Sequence, residues 1–245
     1  MKRARNESKR PQSDFLPPNG ESLPDCTESL PTGIEAISWL ADDALLLRVG
    51  DAKAANAVAD ALRAEGIWDE AVAGLDSVVV TFAPGNFTPD QAFEAFRTSL
   101  AKVRAPVSRK HQTMTLPIHY GGEFGPDLAG ICRSLGITVD AFVAYHTSKA
   151  FRVELIGFTP GFAYVGGLDR RFEIARLATP RVWVEAGSIG LAAGFTGLYA
   201  MAGPGGWPLI GRTTATLFDP TSQKPFLVRA GDWIRFQAVD VECPC

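Results

Sequence analysis

Glu123 and Asp127 stand four residues apart around Gly125-Pro126. Two carboxylates on one turn can orient a nucleophile or hold a cation through water. Equally, Asp127 can cap the helix that follows. His146 sits beside Tyr145, Thr147 and Ser148, at the C-terminal end of an expected helix, where the helix dipole favours the imidazolium. Such a histidine can serve as a general acid or base near neutral pH, or it is a capping or core residue. Arg152, Arg181 and Arg212 fall on or beside expected strands. If they face a pocket, their forked N–H groups suit a carboxylate or a phosphate; if they face outward, they are only solvated. Gly203-Pro-Gly-Gly206 is either a nest of backbone N–H groups for an anion or a plain tight turn. Phe158, Phe162, Tyr164 and Trp207 can wall a small ring or fill a core.

Other chemistries are excluded by spacing. The three histidines are far apart, and neither HExxH nor CxxC is present, so no metal-ligand pattern exists. No GxxxxGK[ST] loop occurs. Ser188 lies in Ala186-Gly-Ser-Ile-Gly190, which is not the GxSxG turn of a serine nucleophile.

The elements that must carry these groups fall into two halves. In the first, Ile34 to Leu40 and Ala44 to Val49 read as strands joined by a turn at Asp42-Asp43. Asp51 caps a helix that Gly66 ends. A weaker strand lies near Trp68 to Val72, and Ser77 to Phe82 is a β-branched run. Thr88-Pro89 opens a second helix, with Phe93, Phe96 and Leu100 on one face. This order predicts a small α+β layer over 34–108. The polar stretch from Ala105 to Thr113 reads as a linker. The second domain, 113–240, opens with a strand at Met114 to Tyr120. Helices follow at Leu128 to Leu135 and Thr138 to His146, then a strand at Phe151 to Phe158. Short strands then alternate with Gly/Pro turns: Val182–Val184, Ser188–Ala192, Gly197–Met201, Leu209–Arg212, Ala215–Leu217 and Trp233–Phe236. That spacing predicts a β-barrel or sandwich. Glycine is dense from Gly157 to Thr213, as expected where backbone turns tightly or is closely approached.

Bulk properties bound the rest. The chain has 245 residues, a net charge of −3 and 46% hydrophobic residues, an ordinary globular composition. The charge gives no general attraction to nucleic acid or anionic membrane. No apolar run approaches the ~20 residues that span a bilayer. Residues 1–33 are basic, then proline-rich, and too poor in apolar surface to order themselves. Cys26, Cys132, Cys243 and Cys245 form no disulfide framework, so a reduced, cytoplasmic setting is the default.

A run of longer motifs carries a resemblance. Tyr120-Gly-Gly-Glu-Phe-Gly-Pro-Asp127, His146-Thr-Ser148 and Gly157-Phe-Thr-Pro-Gly-Phe-Ala-Tyr-Val-Gly-Gly167 are followed by Thr179-Pro-Arg181, Ala186-Gly-Ser188 and Thr196-Gly197. Pro204-Gly-Gly-Trp207, Ile210-Gly-Arg-Thr213, Leu217-Phe-Asp-Pro220 and Gly231-Asp232 complete the series. In this order and spacing the chain resembles the family of B-type 5-oxoprolinase subunits. That family also includes Kip-type inhibitors of sensor histidine kinases and the carboxyltransferase-like first subunit of allophanate hydrolase. The resemblance implies an α/β sandwich-like N-terminal domain followed by a cyclophilin-like β-barrel. It implies one component of an ATP-dependent amidohydrolase, active in complex, that opens 5-oxo-L-proline to L-glutamate. A C-type partner would share the nucleotide step, with Mg2+ accompanying ATP, and an A-type partner would open the ring. On the matched motifs, Glu123, Asp127 and His146 are the expected catalytic residues. Arg181, Ser188, Thr196, Gly205, Gly206, Trp207 and Arg212 are the expected substrate or nucleotide contacts. Two positions depart from the family pattern: Phe195 stands where glutamine is usual, and Ala200 where proline is usual.

Overall fold

The computed structural model describes residues 34–103 and 111–239. The expected disordered extension over 1–33, most of the linker and the Cys243-Pro-Cys245 tail lie outside the described residues.

The first half is a four-stranded antiparallel sheet with two helices. Strands β1 (Ile34–Ala41), β2 (Ala44–Val49), β3 (Glu70–Ala73) and β4 (Ser77–Thr81) lie in the order β1-β2-β4-β3. Alternation on β2 and β4 turns Leu45, Leu47, Val78 and Val80 to one face. That face buries them with Ala55, Ala59 and Leu62 of helix α1 (Ala52–Glu65) and Phe93, Phe96 and Leu100 of helix α2 (Pro89–Lys102). Local chemistry sets the helix ends. Asp51 accepts from the Ala54 N–H at 2.7 Å, and Gly66 closes α1 at φ 68°. Thr88 and Gln91 form a reciprocal capping box ahead of Pro89.

The second half is a closed seven-stranded barrel. Its strands are β5 (Thr113–Tyr120), β6 (Ala150–Ile156), β7 (Ala163–Val165), β9 (Ser188–Ala192), β10 (Phe195–Leu198), β12 (Leu209–Arg212) and β13 (Trp233–Ala238). They close in the order β10-β7-β6-β13-β5-β12-β9. All pairs are antiparallel except β5 and β13, which run parallel. Inward side chains include Leu116, Phe151, Val165, Leu191, Ile210 and Phe236. Helices α3 (Leu128–Leu135) and α4 (Val139–Thr147) pack on this core through Leu128, Ile131, Cys132 and Phe142. By length and composition the two form an apolar pair, yet they bend by 97°, and no single described helix is long and apolar enough to cross a membrane. Outside the barrel, β8 (Arg181–Val184) and β11 (Gly203–Gly205) make a two-stranded ribbon.

Two local expectations are corrected. Ala215–Leu217 forms no strand. Gly203-Pro-Gly-Gly206 is neither nest nor tight turn: Gly203–Gly205 is extended and pairs with β8, and no glycine of the run has positive φ. Glycine is required at Gly205 by close packing, because a β-carbon there would lie 2.5 Å from the Tyr199 hydroxyl.

Candidate functional site

The expected polar residues divide among three places. His146 is fully buried in the barrel interior. Its Nδ1 lies 2.6 Å from the Tyr120 hydroxyl and its Nε2 lies 2.8 Å from Thr196 Oγ1. Its ring stacks on Phe236 at 4.2 Å between centroids. Burial lowers its pKa to about 3 and pushes the Tyr120 phenol upward. A neutral ring that donates to one oxygen and accepts from the other satisfies every polar atom of the group. Of the two readings of this residue, the geometry supports the buried core histidine over the dipole-stabilised cation, because desolvation outweighs the half-charge of the helix terminus. Thr196, an expected ligand contact, is turned inward to this histidine.

Asp127 and Arg181 meet on the outside. Arg181 Nη2 donates to both carboxylate oxygens of Asp127, at 2.9 and 2.8 Å, and the Leu209 N–H donates to the same carboxylate at 2.6 Å. Asp127 does precede α3, but its side chain makes no cap bond. It ties the ribbon to the barrel instead. Glu123 is exposed on the preceding turn. Arg212 is also engaged: its Nε donates to Ala186 O at 3.2 Å, and it faces Glu185 at 3.5 Å. Ser188 is buried on β9 at the start of the same register, opposite Arg212.

The outer barrel face beside this ion pair carries an aromatic layer. On β7 and β10, Ala163, Val165, Thr196 and Leu198 are buried in the barrel, and the alternate positions turn outward. Phe162, Tyr164, Phe195, Tyr199 and Trp207 form this second layer, closed by Val184 of the ribbon. The rings meet edge to face, Phe162 with Tyr199 at 5.0 Å and with Trp207 at 5.6 Å. Glycines make the floor: a β-carbon at Gly197 would lie 2.7 Å from Phe162 Cζ and 2.8 Å from Trp207 Cε3, and one at Gly190 would lie 2.9 Å from Trp207 Cβ. Phe162, Tyr164 and Trp207, read with Phe158 as a ring wall or as core filling, are brought together here as packing, with Phe162 and Trp207 buried. Arg176, absent from the expected set, holds its guanidinium over the Trp207 ring, 6.0 Å from the centroid. A lone arginine in an irregular segment gives no sequence signal beyond its charge.

The rim of this layer is apolar and open. Val182 and Trp183 on the ribbon are 89% and 61% exposed, and Phe158 is 68% exposed. Phe158 is also held at φ 76°, a strained setting for a bulky residue. A third place is a groove of about 370 Å³ between the start of α1 and β6, lined by Asp51, Lys53, Leu75, Arg152, Glu154 and Phe195. There Arg152 Nη1 donates to Glu154, and Asn56 Nδ2 donates to Glu154 O at 2.9 Å. Phe195 thus borders both the groove and the aromatic layer, where it meets Tyr164 at 6.0 Å. Ala200 packs against Gly161. Among the described residues no three His, Cys, Asp or Glu side chains cluster to hold a metal.

Comparisons with known proteins fit this architecture. The chain is 36% identical over 167 residues to the B subunit of 5-oxoprolinase from Escherichia coli O157:H7, covering 68% of this chain and 76% of the relative. It is 38% identical over 137 residues to the B subunit of 5-oxoprolinase from Bacillus subtilis (strain 168), covering 56% of this chain and 57% of that relative. Among solved structures, a protein of Pyrococcus horikoshii superposes with a TM-score of 0.52 at 34% identity, over 84% of this chain and 99% of that one. The Kluyveromyces lactis urea amidolyase superposes at 0.67 over 83% of this chain. At 17% identity that likeness is one of fold, and there the fold takes up 15% of a longer chain. The family described as "Carboxyltransferase domain, subdomain C and D" matches residues 35–228, well over half of the sequence, and with the barrel and its outer motifs in place the chain belongs to that family.

Proposed function

We propose that this chain is the B-type subunit of an ATP-dependent 5-oxoprolinase and works with C-type and A-type partners. The observation that carries this reading is the similarity, at 36% and 38% identity, to two proteins both named as the B subunit of 5-oxoprolinase. The geometry supports it in one respect. The groups that could meet a small anion lie on an open outer face, and that face is rimmed by Phe158, Val182 and Trp183. Exposed apolar rims of this kind mark protein-binding surfaces, so the face suits a site completed by another polypeptide.

In this reading the γ-phosphoryl group of ATP passes to the lactam oxygen of 5-oxo-L-proline and ADP departs. Water adds to the activated carbon, the ring C–N bond breaks, and a second water releases phosphate from the acyl phosphate to leave L-glutamate. Such transfers depend on positioning and charge stabilisation. This chain's part is to present a fixed cationic and aromatic wall. Mg2+ arriving on the nucleotide needs only one or two carboxylates beside the phosphates, and the exposed Glu123 is available. His146 takes no proton in this scheme, because it is shut inside the barrel.

The test is reconstitution. The chain is co-purified with its C-type and A-type partners, and glutamate release from 5-oxo-L-proline is followed with and without ATP. Glutamate formation that requires ATP and all three chains is expected. Absence of ATP-dependent turnover in the complete assembly rejects the assignment.

A further inference from the structure

We propose that Arg176 is the anion-holding residue of the outer barrel face, receiving a carboxylate or phosphate group of a ligand against Trp207. The inference deepens the proposed function and rests on it for the identity of the ligand. Arg181 gives Nη2 to both oxygens of Asp127 and Nη1 to the Trp207 carbonyl, and Arg212 is held by Glu185 and Ala186. Arg176 makes no ion pair or side-chain hydrogen bond among the described residues, and it is exposed. Of these three arginines, it is the one without a side-chain hydrogen bond or ion pair among the described residues.

Its setting is built rather than incidental. The guanidinium carbon lies over the Trp207 indole, 6.0 Å from the ring centroid, at the outer reach of a cation–π contact, while the side chain stays exposed. The backbone on both sides is tied down: the Ala193 N–H donates to Ile174 O, and the Leu177 N–H donates to Gly206 O, each at 2.8 Å. The loop is therefore fixed before any ligand arrives, which reduces the ordering cost of binding. Burial raises the pKa of both Tyr164 and Tyr199, so their hydroxyls stay protonated. An exposed guanidinium anchored at the edge of this packed aromatic layer suits a compact oxyanion. Gly190 and Gly197 leave the space in which Trp207 packs beneath the guanidinium.

The purified full chain is titrated separately with 5-oxo-L-proline and with sodium pyrophosphate, followed by tryptophan emission and by calorimetry. Saturable binding of one of them is expected, and which one binds identifies the carboxylate or the phosphate as the group held. Arg176→Gln should weaken that binding about tenfold or more, the loss of a charge-assisted hydrogen bond. Arg176→Lys should retain part of it, and Arg63→Gln on α1 should leave it unchanged. The melting temperature of Arg176→Gln should match that of the parent, since the side chain is exposed. Binding of neither anion, or equal binding by Arg176→Gln, overturns the proposal. Anion binding through Arg176 without ATP-dependent glutamate formation in the full assembly would keep this site and discard the 5-oxoprolinase reading. Turnover unaffected by Arg176→Gln would do the reverse.

Discussion

Acid should loosen the barrel through His146. In the unfolded chain this imidazole titrates near 6.5, and in the folded barrel its pKa is lowered to about 3. Between these values the unfolded state takes up a proton that the folded state refuses. Stability is therefore complete above pH 6.5 and falls as the pH drops toward 3. One such group contributes a slope of about 1.4 kcal/mol per pH unit, or about 5 kcal/mol across the whole interval. That is comparable to the entire stability of many domains. Other groups titrate in the same range, so the measurement needs a reference that lacks only this one. His146→Gln keeps a donor and an acceptor for Tyr120 and Thr196 but loses the stack on Phe236. It should be less stable than the parent by about 3 kcal/mol at about pH 8. Below pH 6.5 the gap should close by about 1.4 kcal/mol per unit, so that the two stability curves cross at about pH 4. Urea unfolding, followed by far-ultraviolet circular dichroism at half-unit pH steps, gives both curves. Parallel curves from neutrality to about pH 4 would refute a neutral, sealed imidazole.

Further outcomes follow from the outer face and from the turn before α3. Asp127→Asn leaves Arg181 without its bidentate partner and should cost about 1–3 kcal/mol, less than a fully buried pair because both side chains keep some solvent contact. The double variant Asp127→Asn/Arg181→Met should be more stable than the sum of the single changes predicts, and a double-mutant cycle by urea unfolding reads that coupling. Gly197→Ala pushes a methyl group onto Phe162 and Trp207 and should cost about 1–3 kcal/mol. Gly125→Ala should cost more, because its β-carbon would run into the backbone carbonyl of Ile210, which cannot rotate aside. The order of the two melting temperatures checks this.

What the sequence disclosed was mostly local. Asp51, Thr88 and Thr138 signal helix starts through the neighbouring N–H groups they accept from, and Gly66 and Gly136 signal helix ends through their left-handed φ. β4 is legible as a β-branched run, and β2 as an apolar run returning from the turn at Asp42-Asp43. β7 and β11 are not, since three residues cannot establish a period. β11 is Gly-Pro-Gly, among the poorest strand formers, and is extended only through its pairing with β8. The site was legible as a set of motifs but not as an arrangement. Arg181 finds Asp127 across 54 residues, a pairing decided by the ribbon's position. The fate of His146 was fixed by α4 facing inward, which no spacing around the residue announces. Arg176 carries no motif of its own, and only the closed barrel sets it over Trp207.

The parallel seam between β5 and β13 has a consequence for how the chain is made. β13 is the last barrel strand to be synthesised, and it sits between β5 and β6, binding both. Gln112 and Asp232, which are joined across this seam, are 120 residues apart. Until Trp233–Ala238 emerges, the nascent chain holds six strands with two bare edges, and neither α4 nor His146 has Phe236 to lie on. The first unit can finish folding at the ribosome early, while the second must wait for its final strand, which acts as a keystone set in last.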